Sequence, residues 1–316
     1  MTKVSILGST GTIGKNVAFT LARMDTVSEI VLLTRKNSIK KAEGEVLDMY
    51  DALAAENIRC NLIPSNNYED MKNSDIVLIT AGMARKEGMD RLDLAKPNAK
   101  IVHNYGKQIA KYAPNSIILV VTNPVDVMTT IALEASGFDK KKVIGIGNHL
   151  DSLRLKMILA KHFNINSAEI HTRVIGEHGN HMVPLLSSTT IGGIPLKYFI
   201  RSELLDIKKI ITQLKQTGKT IIARKGATEY GPSYAIAHLI STIITDSNKI
   251  LSVSTYLDNE IENVSDVSLG VPAILCKDGI RAIIPIKMHE HEKKEFYEAA
   301  TIVKEVTDYV KKDLDI

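Results

Sequence analysis

Four short segments of this 316-residue chain carry side chains whose types and spacing suit chemistry on a small anion. Residues 176–179 read GEHG directly after the apolar pair Val174-Ile175, which places His178 at the end of a strand. Residues 150–156 read LDSLRLK at the start of a predicted helix, where Asp151 and Arg154, three apart, share one face. A carboxylate bonded to one ring nitrogen of His178 would raise its pKa and leave the other nitrogen free to pass a proton. Arg154 would clamp a carboxylate through two parallel hydrogen bonds. Residues 81–92 read AGMARKEGMDRL and put Arg85 and Arg91 on a loop after an apolar strand, with Gly82 and Gly88 able to let it move as a lid. Residues 120–126 read VVTNPVD, and Asn123 offers an amide to both substrate and cofactor.

A fifth segment, VSILGSTGTIG at residues 4–14, runs an apolar strand into Gly8, Gly11 and Gly14 and then into a helix. This G-x-x-G-x-x-G is a spacing variant of the dinucleotide fingerprint. Glycines permit the tight turn and the approach of backbone N–H groups to a pyrophosphate, and the helix N-terminus adds partial positive charge. The second strand ends Leu33-Thr34-Arg35-Lys36. Sites for NAD place an acid there to accept from the ribose hydroxyls. Two cations instead suit a 2′-phosphate, so NADP is the expected cofactor and NAD a secondary one.

The elements that must position these residues follow from hydrophobic period. Strands are predicted at 4–7, 30–33, 58–63, 76–80, 117–121 and 143–146, several of them continuous apolar runs, as in strands buried on both faces. Amphipathic stretches at 14–23, 39–56, 93–112 and 125–136 alternate with them, although Pro97 conflicts with the third. The expected fold is α/β, a Rossmann-type doubly wound parallel sheet over 1–145, followed by an α+β catalytic domain over 146–316. In that second part helices are predicted at 150–162, 203–225, 231–244 and from 289. Strands are predicted into Gly176 and at 251–256, 270–275 and 280–284, with a turn at Gly192-Gly193-Ile194-Pro195.

Composition excludes several classes. The net charge of +4 comes without a long basic run, and aromatics are 5% with no tryptophan, so nucleic acid is not an expected partner. No apolar stretch is long enough to span a bilayer, and strand-like sequence begins at Lys3, so a cytoplasmic protein without a signal peptide is expected. Cys60 and Cys276 form no CxxC pattern and read as reduced thiols. The spacings His178-x-x-His181 and His289-x-His291 lack supporting ligands, so no metal site is expected. His149, next to the catalytic helix, reads as structural.

Taken together, GSTGTIG, ARKEGMDR, VTNPVD and LDSLR with its downstream IGEHG resemble the lactate/malate dehydrogenase family over essentially the whole chain. The chain is most similar to the archaeal-type, NADP-accepting malate branch. The resemblance implies that His178 is the proton donor and acceptor with Asp151 as its partner. It further implies that Arg154 holds the C1 carboxylate, that Arg91 polarises the carbonyl as the loop closes, and that Asn123 positions substrate next to a cis Asn123–Pro124 bond. The cofactor contacts then expected are Gly8, Ser9, Gly11, Thr12, Ile13, Gly14, Thr34, Arg35, Lys36, Asn98, Val121 and Asn123. Homodimers and homotetramers are the implied assemblies.

Arg85 bears on the substrate. Lactate members tend to carry glutamine at that position and malate members arginine. An arginine pairs the second carboxylate of oxaloacetate; against the methyl of pyruvate its desolvated charge would go unpaired, at a cost on the order of 2–5 kcal/mol. The implied activity is therefore reversible oxidation of (S)-malate to oxaloacetate. The alternatives are another 2-hydroxy acid dehydrogenase, lactate foremost, a fold-related NAD-dependent glycosidase, or a nucleotide-binding protein without turnover.

Overall fold

The computed structural model describes residues 2–24, 26–83, 91–201 and 206–316; of residues 91–93, 200 and 201 it describes the backbone alone. The first half runs β1 (Lys3–Leu7), α1 (Thr12–Ala22), β2 (Glu29–Leu33), α2 (Ile39–Ala55), β3 (Asn61–Ser65), β4 (Ile76–Ile79), α3 (Arg91–Tyr112), β5 (Ile117–Val120), α4 (Val125–Ser136) and β6 (Val143–Gly145). The chain continues through α5 (His149–Phe163), β7 (Ile170–His171), β8 (Val174–Gly176), β9 (Met182–Pro184), β10 (Thr190–Ile191), β11 (Ile194–Pro195) and α6 (Lys197–Arg201). Last come α7 (Ile207–Lys225), α8 (Tyr230–Ile244), β12 (Ile250–Asp258), β13 (Ser265–Cys276), β14 (Gly279–Ile283) and α9 (Glu290–Leu314).

The first six strands lie in the order β3-β2-β1-β4-β5-β6, all parallel. This is the doubly wound, Rossmann-type arrangement, and its strand order reverses between β1 and β4, where such sheets bind ligands beyond the carboxyl ends. Every residue of β4 and β5 is buried, which accounts for their unbroken Ile, Val and Leu. The sheet does not stop at β6. Ser254 of β12 pairs with Gly145, and Gly270 of β13 pairs with Gly176 of β8, so one sheet carries both halves. Gly145 has no room for a side chain: a Cβ there would sit 2.4 Å from Thr129 Oγ1 and 2.8 Å from Ser254 Cβ.

Several expectations move. The predicted strand 58–63 forms at Asn61–Ser65 instead. Asn57 turns left-handed after α2, and Ile58 N–H bonds back to Leu53 O, so residues 57–60 leave the helix before pairing can begin. β3 lies at the sheet edge, where Pro64 is tolerated. The helix predicted from 203 starts at Ile207, where the Asp206 side chain accepts from Lys209 N–H, and residues 202–205 lie outside the described ones. Helix α3 runs through Pro97. The predicted turn at Gly192-Gly193 joins β10 to β11, with both glycines at positive φ, as a two-residue hairpin turn requires. Among the described residues, no helix is long and apolar enough to cross a membrane.

Candidate active site

The candidate catalytic set is assembled from two elements of the second half. α5 starts just beyond the carboxyl end of β6, and the loop after β8 brings His178 back to the first turn of that helix. Asp151 is fully buried and its Oδ2 accepts from His178 Nδ1 at 2.7 Å. A carboxylate can only accept, so Nδ1 carries the proton and Nε2 is left for exchange. Oδ1 of the same carboxylate accepts from Arg154 Nη1 at 3.2 Å, and Asn148 Nδ2 donates to Oδ2 at 3.3 Å. The Arg154 guanidinium reaches from α5 to α7, where a Cβ on Gly218 would sit 3.7 Å from Nη1.

These contacts drive the two partners toward a charged pair. Burial alone would favour the neutral imidazole. The charge and hydrogen bond of Asp151, and then the charge of Asp126, outweigh it and hold His178 above its ordinary pKa. Burial likewise opposes the Asp151 carboxylate, but His178 and Arg154 bring it below the usual range. Breaking a buried pair of this kind costs about 3–5 kcal/mol, because the remaining charge is stranded.

A surrounding layer fixes the set. Asn148 Nδ2 also donates to the Glu177 carbonyl at 3.2 Å, while its Oδ1 lies buried against Gly270 with no partner among the described residues. A Cβ on Gly270 would come within 1.7 Å of that oxygen. Glu177 is buried and its Oε2 accepts from both His181 N–H and His181 Nδ1, which closes the turn that carries His178. Asn98 is buried in α3; its Oδ1 accepts from Met83 N–H at 2.7 Å and its Nδ2 donates to the Asn123 carbonyl at 2.7 Å. It ties the start of the loop after β4 to the turn after β5. Gly82 permits this contact, because a Cβ would meet Thr122 Cγ2 at 2.6 Å and Asn98 Oδ1 at 3.0 Å. The Asn123–Pro124 bond is cis, and Asn123 itself is exposed.

At the switch point of the sheet, Gly8 has φ +88 and a Cβ there would sit 2.7 Å from the Ala81 backbone. A Cβ on Gly14 would come within 2.5 Å of Gly8 O. α1 opens at Gly11 with no acid in its first turn, and among the described residues no side chain caps its first N–H groups. Ser9 is buried, with its hydroxyl on Leu33 O, whereas Thr12 is exposed and Ile13 half-buried. Val121, half-buried, follows β5 with its N–H on Ile79 O. Thr34 Oγ1 lies 3.3 Å from Thr10 Oγ1, Lys41 Nζ donates to Thr10 O at 3.0 Å, and Arg35 and Lys36 stand exposed beside them.

This geometry matches known proteins over its whole length. The family model for the lactate/malate dehydrogenase NAD-binding domain matches residues 2–145, and that for the family's α/β C-terminal domain matches residues 148–313. The chain belongs to the lactate/malate dehydrogenase family. It is 63% identical to the malate dehydrogenase of Methanosphaera stadtmanae, over 100% of this chain and 99% of that one. It is 44% identical to the L-2-hydroxycarboxylate dehydrogenase (NAD(P)(+)) of Methanocaldococcus jannaschii, over 98% of this chain and 99% of that one. The crystal structure of Cryptosporidium parvum malate dehydrogenase superposes with a TM-score of 0.92 at 31% identity, covering 98% of this chain and 99% of that one.

The loop at the switch point fits the family's dinucleotide. An uncapped helix start, a first turn without acids and glycines pressed too close for side chains make a cradle for a pyrophosphate. Of the residues expected from sequence, His178, Asp151 and Arg154 are brought together. Arg85 lies outside the described residues, and Arg91 is placed only by its backbone, as the first residue of α3. The amide of Asn98 is spent on Met83 and Asn123. Asn148, Asp126 and Glu177 are the supporting residues that sequence reasoning missed. Asn148 and Glu177 adjoin recognised motifs and Asp126 lies inside one, which was the available signal.

Proposed function

We propose that this chain catalyses the reversible, nicotinamide-dependent oxidation of (S)-malate to oxaloacetate, with residues 1–145 holding the cofactor and 146–316 supplying the proton. The observation that carries this reading is the shared carboxylate: Asp151 bonds His178 at 2.7 Å and Arg154 at 3.2 Å. One buried anion thereby sets a proton donor beside a carboxylate clamp.

When bound, a reduced nicotinamide supplies the hydride that the carbonyl carbon of oxaloacetate accepts. Protonated His178 gives its Nε2 proton to the carbonyl oxygen, while Asp151 keeps Nδ1 protonated and the ring oriented. Arg154 takes the C1 carboxylate, and its bond to Asp151 limits its swing. Arg91 stabilises the negative charge growing on the carbonyl oxygen, and Arg85 pairs the second carboxylate. Asn123 presents its amide at the same edge. In the reverse direction neutral His178 takes the hydroxyl proton of malate.

NADP is the preferred cofactor in this reading and NAD the lesser. Thr34-Arg35-Lys36 stands where an acid would exclude a 2′-phosphate, and Lys41 reaches the glycine loop from α2. The name of the Methanocaldococcus relative, which includes both cofactors, supports that latitude. The enzyme acts in the cytoplasm as a homodimer or homotetramer; exposed Leu47 and Tyr50 on α2 and Tyr230 and Tyr234 on α8 support self-association.

Steady-state rates for oxaloacetate and pyruvate, each with NADPH and NADH, test the assignment. Oxaloacetate with NADPH is expected to be the best of the four pairs. Arg85→Gln should move the oxaloacetate-to-pyruvate ratio toward pyruvate by roughly 30-fold or more. Arg35→Asp should weaken NADPH by roughly 10-fold and spare NADH. A wild-type preference for pyruvate, or equal loss of both cofactors in Arg35→Asp, would overturn the corresponding half.

A further inference from the structure

Behind His178 lies a second buried carboxylate, Asp126, that the reaction as described does not use. It stands in the first turn of α4, three residues after Asn123, with 1% of its surface exposed. Its Oδ2 accepts from the His178 backbone N–H at 2.8 Å, and its Oδ1 accepts from the Ser254 hydroxyl at 2.7 Å. Ser254 reaches it because Gly145, its partner across the β6–β12 pair, has no side chain to stand between. Three elements far apart in sequence thus meet on one carboxyl group: the turn that presents Asn123, the loop that carries the imidazole, and the strand that joins the two halves of the sheet.

Both donors to Asp126 are neutral, and among the described residues no lysine or arginine pairs with it. Its environment resists the charge, since burial pushes the carboxyl up to about 6. An asparagine would make the same two hydrogen bonds without the cost of burying an anion. The hydrogen bonds alone therefore do not explain an aspartate. The cation in its surroundings is the protonated His178, which it favours by charge without touching the ring. The other charged groups that act on that imidazole are Asp151 and Arg154 from α5, while Glu177, engaged with His181, acts on Asp126.

We propose that Asp126 is a second positioning residue for proton transfer: it pins the His178 main chain to the Asn123 turn and lends negative charge to the imidazolium, and Ser254 helps keep it ionised. This rests on His178 being the proton donor. Its effect is read in the pH dependence of kcat/KM for oxaloacetate reduction, which reports ionisations of the free enzyme.

The full-length enzyme is compared with Asp126→Asn, Ser254→Ala and His178→Asn. Asp126→Asn keeps an acceptor for the His178 N–H but removes the charge. The limb on which reduction falls with rising pH should then move to lower pH by about half to one unit, so that well above the limb the rate drops a further 3- to 10-fold or so. Ser254→Ala removes one donor and should move the limb the same way by less. A limb unmoved in Asp126→Asn, but abolished in His178→Asn, would reduce Asp126 to scaffolding and overturn the inference. A limb that survives in His178→Asn would sink the proton-donor reading itself. If Asp126→Asn does not fold, Ser254→Ala decides: a shifted limb supports the proposal and an unshifted one overturns it.

Discussion

Two histidines meet the first turn of α5, and their surroundings drive them in opposite directions. His178 comes from the loop after β8 and bonds a buried carboxylate, so its charged form is favoured despite burial. His149 is the first residue of α5, two positions from Asp151, yet it packs against His238, with Nε2 3.1 Å from His238 Nδ1. Burial first, and then His238, Arg173 and Lys249, push its pKa down to about 3. Lys249 Nζ lies 3.2 Å from His238 Nε2, which adds to the cationic character of that side. Proximity to Asp151 in sequence is thus no guide to charge; the identity of the group that meets the ring decides it.

The strongest way to break the contrast is to remove the anion that creates it. Asp151→Asn should lower kcat/KM for oxaloacetate by about 10²-fold or more and carry the alkaline limb toward acid, because the imidazole loses both orientation and counter-charge. The same variant should leave His149 neutral, since Asp151 is not among the groups that set its pKa. His149→Gln is the mirror experiment. Its effect on kcat/KM should stay within a few-fold, and steady-state kinetics at neutral pH would check it. A loss as large as that of Asp151→Asn would mean that His149 takes part in the chemistry.

Stability across pH sharpens the contrast further. His149 titrates lower in the folded chain than its ordinary value of 6.5, so the unfolded chain binds more protons between about pH 3 and 6.5. Stability should therefore fall as pH falls through that window, by up to about 1.4 kcal/mol per pH unit, and His149→Gln should flatten this slope. His178 has the opposite sign. Its raised pKa adds stability that is fully present below 6.5 and is lost as pH rises through the folded value. Denaturant midpoints across pH for wild type and the two single-histidine variants separate the contributions; equal slopes in all three would dissolve the contrast.

Much of this was legible in the sequence, for reasons that differ by element. The parallel strands announce themselves because both faces are buried, as in Ile76–Ile79 and Ile117–Val120. His178, Asp151 and Arg154 stand in short motifs whose spacing limits where they can point. The two- and three-residue strands β7, β9, β10 and β11 are too short to show a period, and they went unread. β3 was displaced by a left-handed turn at Asn57 that no hydrophobic pattern signals. The Asp126–Ser254 bond joins residues 128 apart, and only the pairing of β6 with β12 brings them together. Asn148 occupies a helix-cap position where asparagine is common, yet it makes no cap bond and turns inward to Asp151. Local pattern reports what a segment prefers, whereas these contacts are made by the closed fold.

The proposed reaction turns on a single proton held at His178, and the most direct measurement follows it in both directions. kcat/KM is recorded across pH for oxaloacetate reduction and for malate oxidation with the same enzyme. Reduction should fall and oxidation should rise across one shared pKa that lies above the ordinary histidine value. Both limbs should vanish in His178→Asn. Limbs that run in the same sense, or that persist without the imidazole, would contradict it.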